Sequence, residues 1–282
     1  MNRVQRILSV TVALVLLISV AAGCGTESGA DMNQRKELTI TCFKAGKADA
    51  FALTTSKGTV MIDTGLKENS SDLEDFLDTR QITKIDDLIV THFDKDHVGG
   101  AAALVTDYEI GKVYTTWQSK DSDEITEFCN ALSAKKLEIG TTREDTSFTL
   151  DGVTYAIYPP EQNAYDTDES NNSSLAVRVS YGSFSMLFTG DAEDERIKEL
   201  VATPGLESTV LKVPYHGHWQ DGLTDLVKYV SPAYAVITSS GAVKEDAQTT
   251  DLLEQDGAEV YLTRKGTVTI VTDGSSVKIT QQ

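Results

Sequence analysis

Two short segments hold all four histidines of this 282-residue chain. His92 and His97 lie in Thr-His-Phe-Asp-Lys-Asp-His-Val-Gly-Gly, residues 91–100. His216 and His218 close Leu-Lys-Val-Pro-Tyr-His-Gly-His, residues 211–218. The first segment interleaves two imidazoles with two carboxylates, Asp94 and Asp96, and follows Leu88-Ile89-Val90, which reads as a buried strand. Four donor groups at one strand end, with Lys95 the only basic neighbour, need positive charge to sit together. A pair of divalent metal ions supplies it.

The pattern around these segments predicts an α+β fold. Strands are expected over 38–43, 50–55 and 59–63, the last two flanking a hairpin-like Ser56-Lys57-Gly58 turn. A helix over 70–80 sets Leu73, Phe76 and Leu77 on one face, with Ser70 or Ser71 as its cap. A strand over 87–91, a short helix over 98–105, a strand over 112–115 and a helix over 121–135 complete the first half. The second half repeats the style. Strands cover 147–150, 153–158, 175–181 and 183–188, then helices at 193–201, 223–229 and 249–255 alternate with strands at 209–213, 234–237 and 259–263. Strands over 267–271 and 277–280 end the chain. Two such halves make a four-layer αββα sandwich, two mixed β-sheets face to face with helices outside. Asp63, His92, Asp191 and His216 all fall at strand ends, where loops gather functional groups.

The N-terminus is a separate object. Arg3 and Arg6 precede an uncharged apolar stretch, residues 7–22, and Ala21, Ala22 and Gly23 lead into Cys24. That is the layout of an export signal, short for a bilayer span. The small residues before cysteine resemble the lipobox of bacterial lipoproteins. That implies cleavage after residue 23, a lipid on Cys24, a flexible tether over 24–36, and anchorage at the outer face of the bacterial cell membrane. An uncleaved anchor helix is the alternative. Cys42 and Cys129 read as small apolar residues rather than as a disulfide framework.

The formal net charge is −18, and becomes −20 once Arg3 and Arg6 are removed. So acidic a balance disfavours general nucleic-acid binding, which needs phosphate neutralisation by Lys and Arg, and disfavours lying flat on anionic lipid.

Over residues 37–280 the motifs resemble the metallo-β-lactamase fold superfamily, and within it the ComEC/Rec2-type hydrolase branch. The resemblance is carried by Asp63 in Met-Ile-Asp-Thr-Gly, the 91–100 segment with Asp at position 94, Phe188-Thr-Gly-Asp191, and Leu211 to Gly217. The branch's Gly-Gln-Gly-Asp-Ala turn appears as Gly46-Lys47-Ala48-Asp49-Ala50, and its Asn-Asn-x-Ser-Leu run as Asn171 to Leu175. Three departures stand out. Tyr215 replaces the first His of the branch's His-His-Gly, His218-Trp219-Gln220-Asp221 replaces a Ser-rich continuation, and residues 241–250 lack a His-Pro pair.

The resemblance implies a metal site holding His92 and Asp94, with Asn172 near by, and a second holding Asp96, His97 and His216, bridged by Asp191. It implies two divalent ions, zinc or manganese, sharing a hydroxide nucleophile. Catalytic roles fall to Asp96 and Asp191. His218 is unassigned by the motif, either a proton donor or phosphate binder, or an exposed loop residue. Asp63 either caps a turn or orients a ligand, the family's pattern favouring the second; Asp49 is similar but weaker. Lys212 could neutralise an anion. The expected function is a membrane-anchored binuclear metallohydrolase of phosphate esters, phosphodiesterase or nuclease-like, acting on a small-molecule or polymer ester. A lactam, lactone or thioester hydrolase, or a non-catalytic metal-stabilised binding lipoprotein, are the alternatives.

Overall fold

The computed structural model describes residues 37–282, which lie in one compact unit. The expectations for residues 1–23, for Cys24 and for the tether over 24–36 fall outside the described residues. Among the described residues no helix is long and apolar enough to cross a membrane.

The first half contains β1 (Leu38–Cys42), β2 (Ala50–Thr54), β3 (Thr59–Thr64), α1 (Ser70–Thr79), β4 (Lys84–Val90), α2 (Lys95–Val98), α3 (Ala101–Asp107), β5 (Glu109–Thr115), α4 (Asp123–Lys135) and β6 (Gly140–Thr141). There follow β7 (Thr146–Leu150), β8 (Val153–Tyr158), α5 (Glu169–Asn172), β9 (Ala176–Tyr181), β10 (Phe184–Phe188), α6 (Asp194–Ala202), β11 (Val210–Lys212), α7 (Leu223–Val230), β12 (Tyr234–Ile237), α8 (Ala247–Gln255), β13 (Glu259–Leu262), β14 (Val268–Thr272) and β15 (Val277–Gln281).

Two mixed sheets result. One runs β15-β14-β1-β2-β3-β4-β5-β6, the other β13-β12-β11-β10-β9-β8-β7. Pairing is antiparallel from β15 to β3 and parallel from β3 to β6. In the second sheet it is parallel from β13 to β10 and antiparallel from β10 to β7. Alternation along the strands builds the layers, because successive side chains leave opposite faces. Val60 and Ile62 of β3 join Val177, Met186 and Phe188 between the sheets, while Met61 packs outward with Leu73, Leu104 and Phe128 of the helices. Leu187 and Leu211 do the same on the second sheet against Ile197, Leu226 and Leu253. Each fully buried aliphatic or aromatic side chain contributes roughly 1.5–3 kcal/mol. The four-layer sandwich expected from the sequence is the fold observed.

One local expectation is corrected, and two features emerge that the sequence left open. The helix foreseen over 98–105 is two pieces, α2 and α3, divided at Gly99-Gly100, where the chain passes close to its neighbours: a Cβ on Gly99 would lie 2.5 Å from both Lys67 N and Lys95 O. The Asn171–Ser174 run is helical at its start, in α5. The last two strands return to the first sheet, β14 pairing with β1 and β15 with β14.

Candidate metal centre

The parallel strands carry the site on their C-terminal ends. β3 delivers Asp63, β4 delivers His92 and the loop into α2, β10 delivers Asp191, and β11 leads to His216. His92, His97, Asp191 and His216 are all buried. The imidazoles pack as a row, with ring centroids 4.0 Å apart for His92–His97 and 5.5 Å for His97–His216. Asp191 Oδ2 lies 3.3 Å from His97 Nε2 and 2.9 Å from His216 Nε2.

The backs of the rings are held. His97 Nδ1 is 2.8 Å from Asp63 Oδ2, and Asp63 also accepts from the Thr91 amide and hydroxyl, both at 2.7 Å. His216 Nδ1 is 3.1 Å from the Thr238 carbonyl. A carbonyl and a carboxylate only accept, so in the neutral rings both Nδ1 atoms carry the proton and the Nε2 lone pairs are left for the cluster. His92 Nδ1 lies beside the hydroxyls of Thr91 and Ser174 at 3.2 and 3.3 Å. The Nε2 atoms of His92, His97 and His216 are buried without a hydrogen-bond partner. Three imidazoles in one buried row with unpartnered Nε2 atoms, together with a carboxylate, are donors suited to divalent transition metals, and the residues fit such ions.

Three of the eight non-glycine residues with positive φ among the described residues lie here. Asp63, Tyr215 and His216 adopt φ of 52°, 46° and 53°, in the left-handed region that costs non-glycine residues energy. Gly190, at φ +55°, precedes Asp191, and a Cβ on it would meet Ser174 Cβ and Oγ at 2.8 Å.

Electrostatics follow from burial and neighbours. Burial, with the adjacent His97, pulls His92 down to about 4. Burial also acts to lower His97 and His216, but is outweighed by Asp191 above all, which raises both. Burial would raise Asp191, yet His216, His97 and Lys212 hold it well below the carboxylate range.

The match to a family decides what this arrangement is. Residues 44–240, more than half the chain, match the family model "Metallo-beta-lactamase superfamily". The chain belongs to that superfamily. Among curated relatives it is similar to ComE operon protein 3 of Bacillus subtilis (strain 168), 28% identical over 167 residues, 58% of this chain and 21% of that protein. Competence protein ComA of Neisseria gonorrhoeae is 25% identical over 209 residues, 73% of this chain and 28% of that protein. The chain thus spans less than a third of the length of these relatives, which are of the ComEC/Rec2 type that the motifs resemble. Among solved structures, the metallo-beta-lactamase fold protein YhfI from Bacillus subtilis superposes with a TM-score of 0.54 at 12% identity, covering 87% of this chain and 100% of YhfI. CmlA, a diiron beta-hydroxylase from Streptomyces venezuelae, gives 0.53 at 14% identity over 88% of this chain and 54% of CmlA. At such identities the likeness is one of fold.

Within this superfamily member the expected site residues separate into groups. Asp49, His97, Asp191 and His216 each offer a ligand atom within 4.8 Å of the others. Asp49, however, faces the Nδ1 edges, 3.8 Å from His97 and 3.5 Å from His216, and pairs at 2.5 Å with Lys212. It is thus placed to hold the rings. Asp94 Oδ1 stands 3.7 Å from His92 Nε2, and Asp96 Oδ2 3.4 Å from His216 Nε2. Both lie toward the open side, outside that four-residue group.

Two expectations are corrected. Asn172 does not face the imidazoles: its Oδ1 accepts from the Glu193 and Arg196 amides at 3.1 Å and its Nδ2 donates to the Thr167 carbonyl, so it caps α6 from another element. Lys212 is no anion receptor for an incoming molecule. It is fully buried and donates to the Gly190 carbonyl at 2.9 Å, with Asp191 Oδ1 at 3.5 Å. His218 stands apart from the buried row, partly exposed, its Nδ1 3.8 Å from Asp246. Sequence reasoning missed Lys120 and Ser170, which contact Asp94, and Lys47, 3.2 Å from Asp96. Nothing in local spacing marks Lys120 or Ser170. Lys47 stands in the Gly46–Ala50 turn, at the position where the branch pattern has Gln.

Proposed function

We infer that this protein is an exported, membrane-anchored metallohydrolase acting on phosphate esters through two divalent ions, zinc or manganese. The observation that carries the assignment is the buried row of three imidazoles with unpartnered Nε2 atoms, two of which, on His97 and His216, lie within 3.3 Å of Asp191 Oδ2. His92 with Asp94 would hold one ion, Asp96 with His97 and His216 the other, and Asp191 would serve both. Bound ions of this kind lower the pKa of water and polarise a phosphoryl oxygen. The chain's own residues orient the site: Asp63 and Thr238 fix the ring tautomers, and Lys212 balances Asp49 and Asp191. The motif resemblance to the ComEC/Rec2-type hydrolase branch supports a phosphoester substrate, and Asp94, where familiar zinc β-lactamases place another ligand, weighs against a lactam.

Elemental analysis of the purified chain tests the ions, and turnover of bis-p-nitrophenyl phosphate against a chromogenic lactam, with manganese or zinc, tests the substrate. Two metal equivalents and diester turnover lost in Asp191→Ala are expected. Turnover of the lactam without the diester would replace the assignment with lactam hydrolysis, and metal binding without any hydrolysis would make the chain a binding lipoprotein.

A further inference from the structure

The open side of the metal centre carries two ammonium groups from separate loops. Lys120, between β5 and α4, contacts Asp94, as does Ser170. Lys47, between β1 and β2, lies 3.2 Å from Asp96 Oδ2 and sits over the Tyr215 ring, 5.7 Å from its centroid. Both remain open to solvent, their side chains 38% and 29% exposed. Two departures from the branch pattern, Lys47 for Gln and Tyr215 for His, therefore meet in space. In a chain of net charge −18 such a cationic rim is a local exception. An ammonium has three N–H donors, and one carboxylate contact leaves two for an incoming oxygen.

We propose that Lys47 and Lys120 determine specificity, selecting small phosphoesters with two negative charges over singly charged diesters, with Tyr215 holding the Lys47 ammonium in place. The proposal rests on the phosphoester assignment above. A phosphomonoester carries about −1.5 to −2 at neutral pH, and a diester carries one charge. Each ammonium group sits beside a carboxylate proposed to hold an ion, so a second negative charge on a substrate at the centre gains from both, whereas a long polyanion also meets the acidic surface around them. The aromatic face beneath Lys47 favours the cation's position without neutralising it.

Binding separates this selectivity from turnover. The full chain, loaded with manganese or zinc, is titrated calorimetrically with inorganic phosphate at a pH where it is a dianion, and with dimethyl phosphate, a monoanion. Lys47→Gln and Lys120→Gln are each expected to weaken phosphate about tenfold and dimethyl phosphate less than about threefold. Lys47→Arg keeps most of the phosphate affinity. The kcat/KM ratio of p-nitrophenyl phosphate to its bis ester falls in step, through KM. Equal effects on both anions, or no effect on either, overturn the proposal while leaving the phosphoester assignment intact. A wild-type chain that turns over no phosphoester overturns both.

Discussion

Replacing Lys212 with methionine removes a buried charge while keeping most of the stem volume. Three acceptors then lose their donor: Asp49 at 2.5 Å, the Gly190 carbonyl at 2.9 Å and Asp191 Oδ1 at 3.5 Å. Burial lowers a lysine's pKa, but Asp49 and Asp191 overcome that and raise this one, so the ammonium stays charged. Removing one partner of such a buried pair costs about 3–5 kcal/mol. For a domain of this size that is a fall in Tm of about 6–20 °C, at roughly 2–4 °C per kcal/mol. Asp49→Asn removes the opposing charge yet still accepts from Thr238, whose hydroxyl donates to Asp49 Oδ1 at 2.6 Å. Urea unfolding of the metal-free protein, followed by circular dichroism, closes a double-mutant cycle. The pair Lys212→Met with Asp49→Asn should be destabilised by at least about 1.5 kcal/mol less than the sum of the single variants. Additivity within about 0.5 kcal/mol would refute the pairing. So would loss of a metal equivalent in Asp49→Asn, which would make Asp49 a ligand rather than a support.

Asn172→Ala should cost about 1 kcal/mol through the lost cap of α6 and leave metal content unchanged in elemental analysis. Gly190→Ala, forcing a Cβ against Ser174 at positive φ, should destabilise by about 1–3 kcal/mol and reduce metal content, because Asp191 is the next residue. Burial and the neighbouring Asp86 push half-buried Asp87 up to about 6, so the folded state holds this proton more tightly than the unfolded chain does. Stability should therefore decline as pH rises from about 4 to 6, and Asp87→Asn should recover about 1 kcal/mol at pH 8, discounted for exposure, and nothing below about pH 4. Denaturant midpoints at the two pH values decide it.

Much of the fold was legible because its signals are local. Val60, Ile62 and their period-two neighbours announce strands, and Ile125, Phe128 and Leu132 announce a helix, whatever lies across the core. The His92–His97 segment announced a cation site because two imidazoles and two carboxylates in one short loop need one. Asn172 was misread for the opposite reason. An asparagine beside a motif can face a metal or cap a helix, and only the position of α6, which begins 22 residues later, chooses between them. Lys212 likewise reads as an ordinary lysine until β11 is seen packed between β10 and β12, with its ammonium buried behind the imidazoles.

By itself the sequence determined the residue chemistry of the centre and the strand ends that bear it, since donor type and hydrophobic period are properties of short stretches. Only the tertiary structure decided that the last two strands close the first sheet, that Asp49 answers Lys212, and that Lys47 and Lys120 stand at the rim. Those are contacts between distant segments, set by how two twisted sheets stack, and no short-range pattern records them.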